Sequence, residues 1–420
     1  MYEQYKLKNK VNVILVPQVD ARSVITLVMY PVGSRYEAEK MSGVSHYVEH
    51  LMFKGTKKRK NTLILTREID RLGAEYNAFT GKEYTGYYIK TGVDFTDVSM
   101  DILSDMVFNS TFDPKEMERE KTVIVEEIKM YNDNPLMNID NIFEELMYKG
   151  CPLGMDIAGT EKHVLGYKVP DVLAYRDKYY QPSNITLVVA GAVNDQTKLH
   201  IENYFGKQKD SKRVSKSFKP GVFGSSSIKN RISVQKRKTD QAQMMLGWPG
   251  FSYTDIKENI FSSVMSTILG GSMSSRLFIQ IRERRGLAYM VRSSAENFRD
   301  TGHFFVRVGL DAKNINKAIF VIQKECLKIA QKGVTKQELL DAKTHIRGSL
   351  TLSLENSSAQ AHWYAGQSMF MNEISNPEDR LKMVEEVTND DIKSIANKIF
   401  KMDKMRVAII GDVDKDNVKF

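Results

Sequence analysis

Two stretches of the chain end in the same way. Residues 184–193 read NITLVVAGAV and residues 404–413 read KMRVAIIGDV. Each is an apolar, β-branched run that closes on a glycine, and Gly191 and Gly411 stand 220 positions apart in a chain of 420. Each also follows a helix-like segment with aromatic residues near its end, LAYRDKYYQP before the first and IKSIANKIFKM before the second. A chain of this length exceeds the size at which one hydrophobic core keeps growing. The repeat at the end of each half therefore predicts two tandem homologous domains. Between them lies KQKDSKRVSKSFKPGVFGSSS at 207–227, basic, rich in Ser, Gly and Lys, and without apolar periodicity. The expected domains are 1–210 and 228–420, with 211–227 as linker.

Within the first half, VNVILV (11–16) and SVITLVMY (23–30) have the short, β-branched character of strands. EYNAFTGKEYTGYYIK (75–90) reads as two strands around Gly81. Helices are expected at 43–53, 62–72, 96–109 and 114–131, the last opened by Asp113-Pro114 as N-cap and first helical residue. Strands and long helices alternate in blocks. The fold class expected is α+β, each domain a mainly antiparallel sheet with helices packed on one face.

Composition narrows the function classes. The chain is 42% hydrophobic and 27% charged, with a net charge of +9. No apolar run approaches the roughly 18 residues that cross a bilayer, so no membrane partner is expected. Lys and Arg are scattered outside 207–219, and no RNP, helix-turn-helix or zinc-finger pattern is present, so nucleic acid is not expected either. Cys151 and Cys326 lie far apart and form no CxxC pair. They are expected to be reduced core residues, neither a disulfide nor a thiolate metal site. The first residues lack a secretory or transit signature, which gives a cytoplasmic expectation.

The chemistry centres on HYVEH at 46–50, which holds two of the seven histidines of the chain. On a helix, His46 and His50 at i and i+4 project from one face. Two imidazoles so placed suit one zinc ion, and Glu49 reaches a water beside it without ligating the metal. H-x-x-E-H is a zinc-peptidase arrangement. A catalytic zinc takes three protein ligands and keeps one open position. The third is sought on DPKEMEREKTVIVEEIKMYNDNP (113–135), where Glu120 and Glu127 lie seven apart on one face, with Val123, Ile124 and Ile128 as a neighbouring apolar face. One carboxylate there suits the metal and another suits orienting a histidine. Glu126 points about 100° away from Glu127.

SGVSHYVEHLMFKGT, GAEYNAFTGKEYTGYY, MEREKTVIVEEIKMYNDNP, YKGCPLGMDIAGT and QPSNITLVVAG together resemble the pitrilysin-like (M16) zinc peptidases. GGSMSSRLF…IRERRGLAY extends the resemblance into the second half. It implies that His46, His50 and Glu127 hold one Zn2+ per chain, with Glu126 a one-residue slip away. It further implies Glu120 as orienting partner and Glu49 as catalytic base. The resemblance also implies that Asn77, Ala78, Phe79 and Thr80 fall on an edge strand that takes an extended peptide substrate, and Arg282 and Tyr289 on a pair that contacts substrate near the scissile bond. By residue type alone, Asn77 is a turn residue and the Arg282, Arg284 and Arg285 cluster is solvated surface. The implied assembly is a half-clamshell that works as a homodimer. The alternatives are a subunit of a hetero-oligomeric peptidase, or a non-catalytic core subunit of the same fold.

Overall fold

The computed structural model describes residues 2–209, 218–224 and 230–419. Much of the linker expected at 211–227 lies outside them. From the N-terminus run β1 (Glu3–Lys6), β2 (Asn12–Pro17), β3 (Ser23–Tyr30), α1 (Val44–Leu51), α2 (Thr62–Asp70), β4 (Glu75–Thr80) and β5 (Thr85–Gly92). Helices α3 (Thr96–Asn109), α4 (Pro114–Asp133), α5 (Pro135–Met147), α6 (Glu161–Gly166) and α7 (Val169–Tyr179) follow, then β6 (Thr186–Gly191) and α8 (Asp195–Phe205). The second half holds β7 (Ile232–Lys236), β8 (Ala242–Pro249), α9 (Ile256–Gly270), β9 (Ala288–Asn297), β10 (Gly302–Leu310) and α10 (Ile315–Lys332). It continues through α11 (Lys336–Leu354), α12 (Ser357–Phe370), α13 (Pro377–Glu385) and α14 (Asn389–Ile399) to β11 (Arg406–Gly411).

These strands make two sheets of related order, β1-β2-β6-β3-β5-β4 and β7-β11-β8-β10-β9. In each, one pair is parallel, β2 with β6 and β7 with β11, and every other pairing is antiparallel. The two repeated sequence runs, β6 and β11, occupy the same place in their sheets. Both are fully buried, as strands covered on both faces must be. The α+β class and the largely antiparallel sheets expected from the sequence are present.

The compact units, however, are not the contiguous halves expected. One comprises Met1–Lys129, Met155–Lys219 and Leu352–Ile374, the other Met130–Gly154, Pro220–Thr351 and Ser375–Phe420. In the first, one sheet face packs under α1, α3 and their neighbours, and the opposite face receives α12 from the second half of the sequence. Ala361, Tyr364 and Ala365, at i, i+3 and i+4, bury against Ile14, Ile25, Leu27 and Val188. In the second unit, α5 from the first half does the same through Ile139, Phe143, Leu146 and Met147 against Met245, Ala408 and Ile410. So each sheet has helices on both faces rather than one, and the second cover is exchanged. An amphipathic pattern states that a helix must bury one side; it does not name the sheet that will cover it.

Two local features differ from a regular reading. The segment before Gly286 is π-helical over Phe278–Glu283, and Gly286 adopts the left-handed conformation at φ 57°. Val123 is 48% exposed rather than part of an apolar face. The buried side of α4 consists of Met117, Glu120, Lys121, Ile124, Val125 and Ile128, and Val123 lies about 100° around the helix from Ile124. None of the described helices is long and apolar enough to cross a membrane.

Candidate metal centre

Helix α1 is only eight residues long, so its start must be held from outside. Gly43 precedes it at φ 92°, and a Cβ there would lie 2.3 Å from the carbonyl oxygen of Ala158. That position needs both the left-handed backbone and the missing side chain. The Glu37 carboxylate accepts the N–H groups of Gly43 at 2.6 Å and Ser45 at 2.7 Å, which satisfies open donors of the first turn. Burial pushes Glu37 up to about 7, against those hydrogen bonds and the nearby Lys82 charge. Tyr47, wholly buried, donates to the Met117 carbonyl at 2.5 Å and so docks α1 on α4.

This docking brings three ligand types together. His46 Nε2 and His50 Nε2 are 3.2 Å apart. Glu127 carboxylate oxygens lie 3.8 Å from His46 Nε2 and 3.4 Å from His50 Nε2. A tetrahedral ion with arms of about 2.0–2.1 Å needs ligand separations of about 3.3–3.4 Å. The three distances bracket that value, so the donor set of two imidazoles and one carboxylate fits a zinc ion. Glu126 is 67% exposed and pairs with Lys129 at 2.9 Å, on the outer side of α4. The geometry thus sets Glu127, not Glu126, beside the histidines.

Glu120 lies behind this group. It is 4% exposed, 2.8 Å from His50 Nδ1 and 2.6 Å from Lys54 Nζ. Its bond to Nδ1 turns Nε2 toward Glu127 and His46. Burial opposes ionisation of Glu120, but His50 and Lys54 outweigh it and hold the carboxyl below its usual range. Burial likewise works to lower His50, yet the hydrogen bonds to Glu120 and Glu127 hold the ring up at about 9. His46 has no such support. Among the described residues its Nδ1 is buried without a hydrogen-bond partner, and burial, then the nearby His50, push the ring down to about 4. The hydrogen bond from His50 keeps Glu127 low. Glu49, on the same helix, has its carboxyl raised by burial, and Thr80 donates to its Oε2 at 2.5 Å.

The other residues singled out by sequence fall into two places. Asn77, Ala78, Phe79 and Thr80 lie on β4, the outermost strand of its sheet. Arg282 and Tyr289 lie in the second unit and adjoin one another. The Arg282 guanidinium sits 4.8 Å from the Tyr289 ring centroid and donates to the Tyr289 carbonyl at 3.3 Å, and Tyr289 is 72% exposed. Both cysteines are free and buried, as expected.

Comparison with known proteins follows the same lines. A family model described as insulinase (peptidase family M16) matches residues 13–161, and one described as peptidase M16 inactive domain matches residues 168–346. The uncharacterized zinc protease YmxG of Bacillus subtilis is 32% identical over 404 residues, covering 96% of this chain and 97% of its own. The chain belongs to peptidase family M16. An uncharacterized zinc protease of Rickettsia felis is 33% identical and covers 97% of each chain. Among solved structures, a protease from Helicobacter pylori superimposes with a TM-score of 0.89 at 23% identity, over 98% of this chain and 99% of that one. A peptidase M16 inactive domain from Pseudomonas fluorescens gives 0.90 at 18% identity over the whole of both chains. At these identities the structures speak for the M16 fold alone.

Three parts of this centre escaped the sequence reading: Glu37, Lys54 and the hydroxyl of Thr80. Lys54 carried a faint signal, four residues beyond His50, as the histidines are from each other. Glu37 carried none, since its partners are backbone groups. With His50 held up at about 9 and His46 pushed down to about 4, His50 is the histidine that carries a proton at pH 7. Zinc must displace that proton. Binding should therefore release about one proton per zinc at pH 7, and affinity should fall about tenfold per pH unit as pH drops below the His50 value. Titration calorimetry in buffers of different ionisation heat measures the release. Zinc uptake at pH 7 without a released proton contradicts the charge placed on His50.

Proposed function

We propose that this chain is a zinc-dependent endopeptidase acting on extended, unstructured peptides, with His46, His50 and Glu127 as ligands of one zinc per chain. The observation that carries this reading is the gathering of those three side chains, with Glu49 beside them on the same helix. Zinc, when bound, supplies Lewis acidity toward a peptide carbonyl and an attacking water. Glu49 takes the proton of that water and passes it to the leaving amine. Its burial, which raises the carboxyl, suits a group that must both accept and return a proton. In this reading Arg282 binds a substrate carbonyl and Tyr289 donates to the oxygen on which charge develops.

Strand β4 is the proposed peptide dock. Among the described residues it pairs with β5 alone, which leaves its other edge without a partner strand there. The Ala78 N–H donates to the Asn77 side chain at 2.9 Å, and alternation from the Gly81 N–H to Tyr84 carbonyl bond makes Ala78 and Tyr87 a non-hydrogen-bonded pair of the β5 ladder. It therefore faces the open edge, and by strand alternation so do the backbone groups of Tyr76 and Thr80. A peptide added there replaces the Asn77 contact with a main-chain hydrogen bond. Folded proteins present no free strand of this kind, hence the expected preference for unstructured substrates. The resemblance also makes two copies of the chain the working enzyme; an active chain that sediments strictly as a monomer removes that element.

The first test is metal analysis and peptide cleavage on wild type and Glu49→Gln. Zinc is expected in both, with cleavage at least about a hundredfold lower in the variant. Zinc in both with no cleavage in either favours a missing partner chain, and zinc in neither favours a non-catalytic core subunit. A second variant tests the dock. Ala78→Pro removes an edge-facing N–H without taking a bond from the ladder, and should lower kcat/KM about tenfold with zinc retained. Unchanged kinetics would remove β4 as the docking edge.

A further inference from the structure

We propose that Thr80 is a positioning residue for Glu49, so that the strand which receives the peptide also sets the orientation of the base. The inference rests on Glu49 being the base. Among the described residues, the hydrogen bond from Thr80 Oγ1 to Glu49 Oε2, at 2.5 Å, is the one the Glu49 carboxylate makes. One carboxylate oxygen is thereby pinned, and the other is left for the water. Thr is β-branched and stiff about its first side-chain torsion, so its hydroxyl is a well-defined anchor.

The strand positions that hydroxyl through its pleat. Tyr76, Ala78 and Thr80 share one face, and Tyr76 and Ala78 pack into the core beneath α1. Phe79 points to the opposite face, where its ring lies 5.3 Å from that of His362 on α12. Thr80 thus turns its side chain toward α1 and Glu49, while its backbone groups face the open edge. The same residue looks to the base with one part and to the peptide with another.

Thr80 is itself held from behind. The turn after it is clamped to residues 32–35: Ser34 N–H donates to Gly81 O at 3.2 Å, Arg35 N–H to Lys82 O at 2.8 Å, and Thr85 Oγ1 to Val32 O at 2.9 Å. The Arg35 guanidinium meets Glu83 at 2.7 Å with both side chains buried. The approach is so close that a Cβ on Gly33 would lie 2.1 Å from the Gly81 oxygen. A strand end fixed this firmly defines the direction of the Thr80 hydroxyl, and a misplacement of about 1 Å at a catalytic group can cost about a hundredfold in rate.

The bland account of the same contact is a tie between strand and helix that matters only for folding. Thr80→Val separates the two, since it keeps the branched shape and strand preference and removes the donor. Expected for T80V are zinc affinity by chelator competition within about twofold of wild type, KM within about threefold, and kcat lower by about 10- to 100-fold. Thr80→Ser, which restores the hydroxyl, should regain most of the kcat. Crystal structures of the zinc-loaded wild type and T80V should show the Glu49 carboxylate turned away from its wild-type position in the variant. An unchanged kcat, a loss confined to KM, or a loss that T80S shares overturns the proposal. If wild type cleaves no peptide, the peptidase reading fails by itself, and the crystal structures still decide: Glu49 unmoved in T80V overturns the positioning role, and Glu49 displaced supports it. Thr80→Ala replaces T80V in every arm should the valine variant not fold.

Discussion

Glu120 is the joint on which the candidate metal group depends. An ionised carboxylate that is 4% exposed costs several kcal/mol unless partnered. Here one oxygen faces the His50 ring nitrogen and the other faces Lys54. Each of the three groups needs the other two. Glu120 fixes which nitrogen of His50 turns outward, Lys54 balances the charge that Glu120 brings inside, and the pair joins α1 to α4. Once the helices are joined at that level, Glu127 arrives beside His46 and His50 because it lies seven residues along α4, almost on the same side of the helix. Its place at the border of the buried face leaves it covered enough to be held and open enough to reach an ion.

What could be read in the sequence, and what could not, follows from the range of each interaction. The HYVEH pair was legible because i and i+4 geometry lies within one helix. Glu120 and Glu127 were legible as a pair for the same reason. The choice between Glu126 and Glu127 rested on a family resemblance, because a one-residue slip is a rotation that only the packing of α4 resolves. The error over Val123 has that origin too: apolar residues at 123, 124 and 128 look alike until the helix is docked. Contacts between distant segments left no trace. Nothing in the sequence ties Glu37 to the start of α1 or Thr80 to Glu49, since both contacts exist only after the sheet and its covering helices have formed. The exchange of α5 and α12 is the largest case. Neither helix was placed from the sequence, and each buries one side against the sheet of the other half.

The two sheets close the same junction with different groups. In both, a helix lies over the edge strand at the end of the order, α1 over β4 and α9 over β9. In the first, that junction joins an acid to a hydroxyl, Glu49 and Thr80. In the second it joins two hydroxyls, Ser266 and Ser293, 3.2 Å apart, and Gly270 brings the helix backbone close to the strand. A serine pair closes such a junction with neutral groups and no ionisable ligand. It needs neither a buried counter-charge like Lys54 nor a second carboxylate helix. The duplicated topology thus survives a change from a charged to a neutral junction.

An open strand edge is a hazard for any protein, because its free N–H and C=O groups pair with whatever strand they meet. Strand β4 meets that hazard with modest means. It is six residues long, its first residue is an exposed acid, and the Asn77 side chain occupies the Ala78 N–H. None of these closes the edge permanently. A side-chain cap on a backbone donor is worth about 1 kcal/mol net, which a row of main-chain hydrogen bonds from an incoming peptide exceeds. The edge is thus guarded by contacts that are each weak. Because Thr80 ends that edge and touches Glu49, one residue ties the edge strand to that carboxylate.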